Sequence, residues 1–486
     1  MPKVLILPRS TLEKMSKLEL ITLVLAQGEQ LVAQGEQLKL QAERIKSLEQ
    51  RVVELERKNA RSAAPFSKNK RKMDPKMPGR KIGQGRFENR VAPQESEMTQ
   101  VEHVEVGFEV CGCGGELAYM GTELVSVTDI PQNPKVEIKG YVIGLKCCKL
   151  CGKKYRATHR EVASDQYGAT AHRIGERLMS LGHCLHYEDG IPQRKVVGVL
   201  KKLAGVQITQ GMLSQGSTKQ GCDEGNVKIA SESIRVEMAS SERVNTDDTG
   251  WRTGGKGSFL MGFETPDAVF YQIRERHRNE EVREVIPSGY QGVMGTDRGK
   301  SYDAKELLGV KQQKCLSHIQ RNLTDVEEVK TGKVKWFSSE LKALFHSTNE
   351  LWNQYRAGEI NLPDYLARGK ILDEQITHHL RDRTLKDADN QRMLNELGTH
   401  HDRGNLLRFL EDPNIEPTNN RAERALRGAV IARKVSQCSK NERGADARTA
   451  FMSVIKTLKK RGQDIVEGLI FVMRTGVMPE FNSQCR

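Results

Sequence analysis

Between residues 10 and 58 the chain has no Pro, and its apolar residues recur every seven positions. Val24, Leu31, Leu38, Ile45 and Val52 fall on one seam, and Leu48 and Leu55 supply the second seam position late in the run. Earlier, Gln27, Gln34 and Gln41 hold that second position. The segment Ala26–Val32 (AQGEQLV) is nearly repeated as Ala33–Lys39 (AQGEQLK), a heptad written twice. Sustained heptads prescribe a coiled coil, which Gln in the seam weakens while helping to set its register. Gly28 and Gly35 each cost a helix ~1 kcal/mol. Residues 10–58 therefore read as a leucine-zipper-like coiled coil that makes the protein a homo-oligomer. The competing arrangement is a helix that packs on its own chain.

The remainder must hold the globular part. At ~150 residues per domain, 486 residues suggest about three domains. Hydrophobic residues make up 37% of the chain, enough to build a core. Lys and Arg number 77 against 63 Asp and Glu, a formal net charge of +14, which favours a polyanionic partner such as nucleic acid. No apolar run reaches the ~18 residues of a membrane span, and Ile21–Ala26 is too short for a signal peptide core. Ten Cys are too sparse for a disulfide scaffold, and half of them lie between Cys111 and Cys151, which points to metal and to a cytosolic protein.

Residues 59–100 read as a flexible basic linker. Lys68, Lys70, Arg71 and Lys72 are its densest charge, and Pro65, Pro75, Pro78 and several Gly break regular structure. Such a segment is a solvated spacer, a sequence-independent contact to phosphates, or both. Residues 105–158 carry the zinc candidate. One half is Cys111-Gly112-Cys113-Gly114 and the other is Cys148-Lys149-Leu150-Cys151-Gly152. Gly after the second Cys of each half suits a tight knuckle whose amides point at the sulfurs, and four thiolates make a structural Zn²⁺ site. The alternative is a set of reduced thiols. Residues 160–240 read as helical. Within them Pro192–Leu203, the Ala204-Gly205-Val206 turn and a helix led by Thr209 form a candidate helix-turn-helix for DNA, or two ordinary packed helices.

From residue 243 the period changes. Arg243–Thr249, Ser258–Phe263 and Ala268–Ile273 read as three strands, followed by Gly292–Thr296 and Val310–Cys315 with helices between and after. The first strand ends in Asp247-Asp248 and the fourth delivers Asp297. A helix opening near Asn419 places Glu423 at the edge of an apolar stripe of Ala422, Leu426, Ala429 and Val430. A carboxylate at such an edge is costly unless paired or bound to a cation. Three such acids suit Mg²⁺ or Mn²⁺, and two ions clamp the entering and leaving oxygens of a phosphoryl transfer. Arg421, Arg424, Arg427, Arg433 and Lys434 flank that helix and are candidates for holding phosphates.

These marks together resemble the DDE-class bacterial transposases of the insertion sequence 66 family. The resemblance rests on Asp247-Asp248-Thr249-Gly250-Trp251, Asp297, Cys315-Leu316-Ser317-His318 with Arg321, and Asn419–Arg424 with Arg427. It spans nearly the whole chain, including Pro78-Gly79-Arg80-Lys81 in the linker. It implies a multidomain α+β protein: a coiled coil at 10–58, a zinc-binding domain at 105–158 and a helical DNA-binding region at 160–240. A ribonuclease-H-like α/β catalytic core follows at 241–435, with a helical insertion at about 325–410, and then a helical C-terminal segment at 436–486. The triad falls on Asp247, Asp297 and Glu423, the zinc ligands on Cys111, Cys113, Cys148 and Cys151. The implied activity is metal-dependent cleavage of DNA at element ends and strand transfer into target DNA. Accessory transposition proteins and a cytoplasmic, nucleoid-associated location in a bacterium are implied as well. Two positions depart from the family pattern. Asp248 stands where Glu is usual, and Val110 stands where the first zinc Cys is expected, leaving Cys111 to substitute.

Smaller motifs read more plainly. Cys315 and His318 suit a packing or orienting role better than half a metal site, and Trp251 suits the core better than a base-stacking surface. His183, Cys184 and His186 cluster without metal spacing. A non-catalytic DNA-binding protein that keeps the zipper, finger and linker is the other functional class, and the presence of all three acids favours the enzyme.

Overall fold

The computed structural model describes residues 9–12, 15–61, 136–157, 174–381, 384–436 and 438–480, with isolated positions between 94 and 118. Lys68, Lys70, Arg71, Lys72 and Cys111 lie outside the described residues. The chain divides into two units, residues Met1–Val127 and Thr128–Arg486. Among the described residues no helix is long and apolar enough to cross a membrane.

The first unit holds a short helix α1 (Arg9–Leu12) and the 45-residue helix α2 (Lys17–Arg61). Ser16 and Glu19 open α2 as a capping box. The Ser16 amide donates to Glu19 Oε2 (2.7 Å) and the Glu19 amide to Ser16 Oγ (3.4 Å), satisfying two donors that a helix start leaves free. Val24, Leu31, Leu38 and Ile45 lie along α2 and are all more than half exposed.

The second unit opens with a hairpin, β1 (Leu145–Cys147) and β2 (Lys154–Arg156), paired antiparallel. Four helices follow: α3 (Glu176–Tyr187), α4 (Gln193–Ala204), α5 (Gln210–Gly221) and α6 (Asn226–Ser240). Helix α4 ends at Gly205, whose φ of 66° is open to Gly at little cost. Helix α5 starts at Thr209, whose side chain accepts from the Met212 amide. Val196, Leu200, Ile208 and Leu213 close a small core between these two helices.

The centre of the unit is a five-stranded sheet of β3 (Arg243–Thr253), β4 (Lys256–Glu264), β5 (Val269–Arg274), β6 (Val293–Thr296) and β7 (Lys311–Lys314), in spatial order β5-β4-β3-β6-β7. Strands β3, β4 and β5 form an antiparallel meander, and β6 and β7 run parallel to β3. The short helix α7 (Asn279–Arg283) links β5 to β6. Five of the six β5 residues are buried, Gln272 among them, so both faces of this strand are covered rather than one.

Helices cover the sheet. α13 (Asn420–Ser436) lies across β3 and β4, and Gly262 makes room for it: a Cβ there would lie 3.1 Å from Leu426 Cδ2. α14 (Glu442–Lys460) packs on β5, and α15 (Ile465–Thr475) packs against α3, α6 and α14. The sequence reading ended the core at 435, yet α14 belongs inside it. Small residues let it approach: Ala445, Ala450, Ser453 and Thr457 are buried. The Tyr271 amide donates to Ser453 Oγ (2.9 Å) and the Val269 amide to Thr457 Oγ1 (3.0 Å), which covers the exposed edge of β5. Between β7 and α13 the chain forms α8 (Leu316–Glu328), α9 (Trp336–Arg356), α10 (Leu362–Leu380), α11 (Ala388–Asp402) and α12 (Arg408–Glu411), with their own apolar core from Leu316 to Ile415.

Candidate catalytic site

The first strand was expected to stop at Thr249, with Asp247 at its end. It runs on to Thr253 because its antiparallel partner β4 continues, pairing Thr253 with Lys256. Its parallel partner β6 pairs only Arg243, Val244 and Asn245 with Val293, Met294 and Gly295. Asp247 therefore sits just past the parallel part of the sheet, beside Asp297, which follows the last residue of β6. Asp247 is the Cα partner of Gly262, the residue over which α13 passes, so it shares the face that carries Glu423.

Asn419 holds the start of α13 in place. Its Nδ2 donates to the Thr246 carbonyl (2.7 Å), its Oδ1 accepts from Asn245 Nδ2 (3.0 Å), and its amide donates to Cys315 Sγ (3.1 Å). The Leu316 amide donates to the Pro417 carbonyl (2.9 Å) and the Cys315 amide to the Thr296 carbonyl (2.8 Å). Cys315 thus ties together the end of β6, the start of α8 and the start of α13, and its thiol is pushed up by burial. Asp297 is fixed by the Gly299 amide, which donates to its Oδ1 (2.7 Å). A Cβ on Gly299 would lie 2.9 Å from that oxygen, which is why a residue without one stands there.

The acids feel one another. Burial, with the charges of Asp248, Asp297 and Glu423, pushes Asp247 up to about 7, against a hydrogen bond from the Asp248 amide (2.9 Å) that opposes the shift. Glu423 Oε1 is buried and takes no hydrogen bond, and the ion pair Glu423 makes is with His318 at 3.8 Å rather than with Arg427. Hard oxygen donors with mutually unfavourable charge and an unpartnered oxygen suit a divalent cation. The three acids do not close to within 4.8 Å of one another; among the described residues the group that does is Cys315, His318 and Glu423.

Asp248 points elsewhere. Its Oδ1 lies 2.9 Å from His277 Nδ1, and although burial disfavours the charged ring, the Asp248 hydrogen bond and charge raise the His277 pKa above the ordinary value. The ring packs edge-on against the buried Tyr302. Behind this lies Lys314 on β7, fully buried, 2.8 Å from Asp303 and 3.3 Å from Thr296 Oγ1. Its pKa is lowered by burial, against the opposing charges of Asp303 and Asp297. Arg298 reaches Glu396 of α11 at 2.9 Å, which fastens the loop after Asp297 to the inserted helices. Sequence reasoning missed His277, Lys314 and the approach of His318 to Glu423. A lysine inside a short strand is a signal for Lys314; His277 sits in a charged loop with no pattern to mark it.

The basic residues on α13 divide into two sets. Arg424, Arg427 and Lys434 are exposed, whereas Arg421 is held by Glu416 (2.6 Å) and Arg433 donates to Thr249 Oγ1 (3.2 Å) and to the Gly250 carbonyl. Trp251 is a core residue, 2% exposed, donating from its ring to Ser439 Oγ (3.2 Å). His186 holds the buried Arg448, accepting from its Nη2 at 3.1 Å. In the β1–β2 hairpin the Gly152 amide donates to the Cys148 carbonyl (2.9 Å), with Gly152 at a φ of 71°. The amides of Cys151 and Leu150 lower the Cys148 pKa, as a thiolate knuckle requires. Gly114, after Cys113, has a φ of 88°.

A curated relative, the uncharacterized protein y4qI of Sinorhizobium fredii (strain NBRC 101917 / NGR234), is 22% identical over 325 residues, 60% of this chain. The chain spans 58% of that relative's length. A solved structure of the HTLV-2 integrase catalytic core domain in complex with magnesium (trimeric form) is similar over 18% of this chain and 70% of its own, at 12% identity and a TM-score of 0.14, too slight a likeness to bear on the fold. The model of the family described as Transposase IS66 family matches residues 172–447, from the helices before the sheet into α14, and so takes in every acid described above. The chain belongs to the IS66 family of transposases.

Proposed function

We propose that the protein is a DDE transposase that cleaves DNA strands at element ends and transfers them into target DNA, with Asp247, Asp297 and Glu423 as the ligands of Mg²⁺ or Mn²⁺. The observation that carries this reading is the placement of Asp247 and Asp297 at the ends of the parallel strands, on the face that α13 crosses, where burial and neighbouring carboxylates push Asp247 up to about 7. At neutral pH the repulsion within such a set is relieved by a proton on Asp247 or by bound cations. Bound divalent ions would supply an activated nucleophile and a stabilised leaving oxygen. The protein's own residues do the placing. Asn419 sets the register of α13 and so of Glu423, the Gly299 amide holds one oxygen of Asp297, and His277 engages Asp248, leaving Asp247 as the ligand of the pair. Exposed Arg424, Arg427 and Lys434 hold backbone phosphates.

A ribonuclease-H-like core is supported by the strand order itself, third-second-first-fourth-fifth with the second strand antiparallel. The exposed seam of α2 supports a parallel coiled coil between two copies, which would bring two DNA ends together. The Cys148–Cys151 knuckle supports a structural Zn²⁺ site, and the basic linker supplies sequence-independent affinity. The deciding experiment is strand cleavage on DNA carrying the element's own ends, with Mg²⁺ or Mn²⁺. Metal-dependent nicking at the ends by the wild type, lost in Glu423→Gln, supports the reading. Retention of specific DNA binding with no cleavage under either metal points to the non-catalytic class.

A further inference from the structure

Cys315 caps the start of α8 with its sulfur buried, and His318 and Glu423 approach it from α8 and α13. One ligand atom from each of the three lies within 4.8 Å of the others. His318 Nε2 is already 3.8 Å from Glu423 Oε1. Tetrahedral Zn²⁺, with bonds of about 2.0–2.3 Å, sets its ligands about 3.3–3.8 Å apart. The side chains of His318 and Glu423 are 31% and 32% exposed, so both can turn toward a fixed sulfur. Glu423 Oε1 is buried without a hydrogen-bond partner, a polar atom that a ligand would satisfy. The Asn419 amide donates to the sulfur at 3.1 Å, which fixes its position.

We propose that Cys315, His318 and Glu423 bind one thiophilic divalent cation of the Zn²⁺ class, and that this binding withdraws Glu423 from the catalytic acids. A thiolate and an imidazole select such an ion over Mg²⁺, and three protein ligands leave a fourth position for water. The Cys315 proton passes to solvent as the ion enters. The binding site stands on the geometry alone; the withdrawal of Glu423 rests on the triad reading.

The test uses the metal-stripped full-length chain and Co²⁺ as the probe, read by the thiolate-to-metal charge-transfer band. Cys148 and Cys151 contribute to that band as well, so the measured quantity is the difference between wild type and two variants, Cys315→Ser and His318→Ala. His318 is partly exposed, which keeps the second variant informative if the first unfolds. The wild type takes up one more equivalent of Co²⁺ than either variant, and Zn²⁺ displaces it. Equal uptake and equal bands in wild type and His318→Ala overturn the site. In a second arm, Zn²⁺ added to the Mg²⁺-dependent reaction slows wild-type cleavage by at least about tenfold. Extra Co²⁺ uptake with cleavage indifferent to Zn²⁺ overturns the withdrawal. Extra uptake in a chain that cleaves DNA with no metal at all overturns the catalytic reading and supports the site.

Discussion

Helix α2 and the sheet core are both built on apolar periodicity, with opposite outcomes. In the core, β4, β5, α13 and α14 bury their apolar residues against one another, and Leu260, Phe263, Phe451 and Ile455 are wholly inaccessible. In α2, Leu31 and Leu38 remain about two-thirds exposed although their spacing is as regular as any in the chain. The difference teaches that periodicity reports which surface is to be buried and not what will bury it. A narrow stripe of a and d positions suits pairing with one other helix rather than packing into a broad core, and the proposed coiled coil would supply that helix from a second copy.

The core side of the comparison breaks most visibly at the acids. Glu423→Gln, Asp297→Asn and Asp247→Asn should each lower cleavage on the order of 10³-fold or more while leaving the fold and DNA binding nearly in place. Asp248→Asn retains measurable cleavage, because His277 and not the catalytic face holds Asp248. Gel-based nicking of end-containing DNA checks all four. An inactive Asp248→Asn beside an active Asp247→Asn would reverse the assignment of the ligand.

On the helix side, Leu38→Ala should weaken self-association of the full chain by about 2–3 kcal/mol, the cost of a cavity in a formed seam. Sedimentation equilibrium measures it. A wild-type chain that stays monomeric at high concentration would show that α2 is buried by something other than a second copy.

Much of the core was legible, and what was missed has physical causes. Five strands were placed within a few residues of their observed limits; β4 and β5 stand out as apolar runs because most of their residues are buried, whereas β7 is Lys-Gln-Gln-Lys. The true length of β3 was hidden, since Gly250 and the Gly254-Gly255 pair read as breaks; the hairpin with β4 imposes it. Helix α14 looked like an appendage because Ala445, Thr449, Ser453, Thr457 and the buried Arg448 are interleaved with its buried Phe451, Ile455 and Leu458, which blurs the apolar stripe. Among the proposed site residues, Asp247 and Asp297 could be read as acids at strand ends and Glu423 as an acid at the edge of an apolar helix stripe. The His277–Asp248 pair could not, because it joins a loop after β5 to β3 across the fold, and sequence spacing holds no trace of that contact.

A smaller effect probes the charge within the site. Asp247 is raised from an unfolded value near 3.8 to about 7, so the folded state holds its proton more tightly than the unfolded state does. Its contribution to stability is full below about 3.8 and is lost as pH rises through about 7. In metal-free protein at pH 8, Asp247→Asn should therefore be more stable than wild type by roughly 1–3 kcal/mol, after allowance for partial solvation. The advantage should shrink on acidification toward pH 4 and on addition of Mg²⁺. Urea unfolding at the two pH values measures it. A variant less stable than wild type at pH 8 would mean that the acids are already compensated without metal.

The smallest effect tests the purely local signals, which neither the sheet nor the coil supplies. Thr209 was read as a helix start from sequence alone, and its side chain accepts the Met212 amide at 3.1 Å. Removing that oxygen leaves one donor of the first turn of α5 without a partner, a cost of about 1 kcal/mol for an exposed cap. Helix α5 also packs on α14 and α6, so its position is held by tertiary contacts that the substitution does not touch. Thr209→Ala should thus lower stability by that amount without changing the fold or the cleavage rate of a chain assayed well below its melting temperature. Thr209→Ser, which restores the oxygen, should recover nearly all of it. If Thr209→Ala instead abolishes binding to element ends with stability unchanged, the turn between α4 and α5 contacts DNA directly.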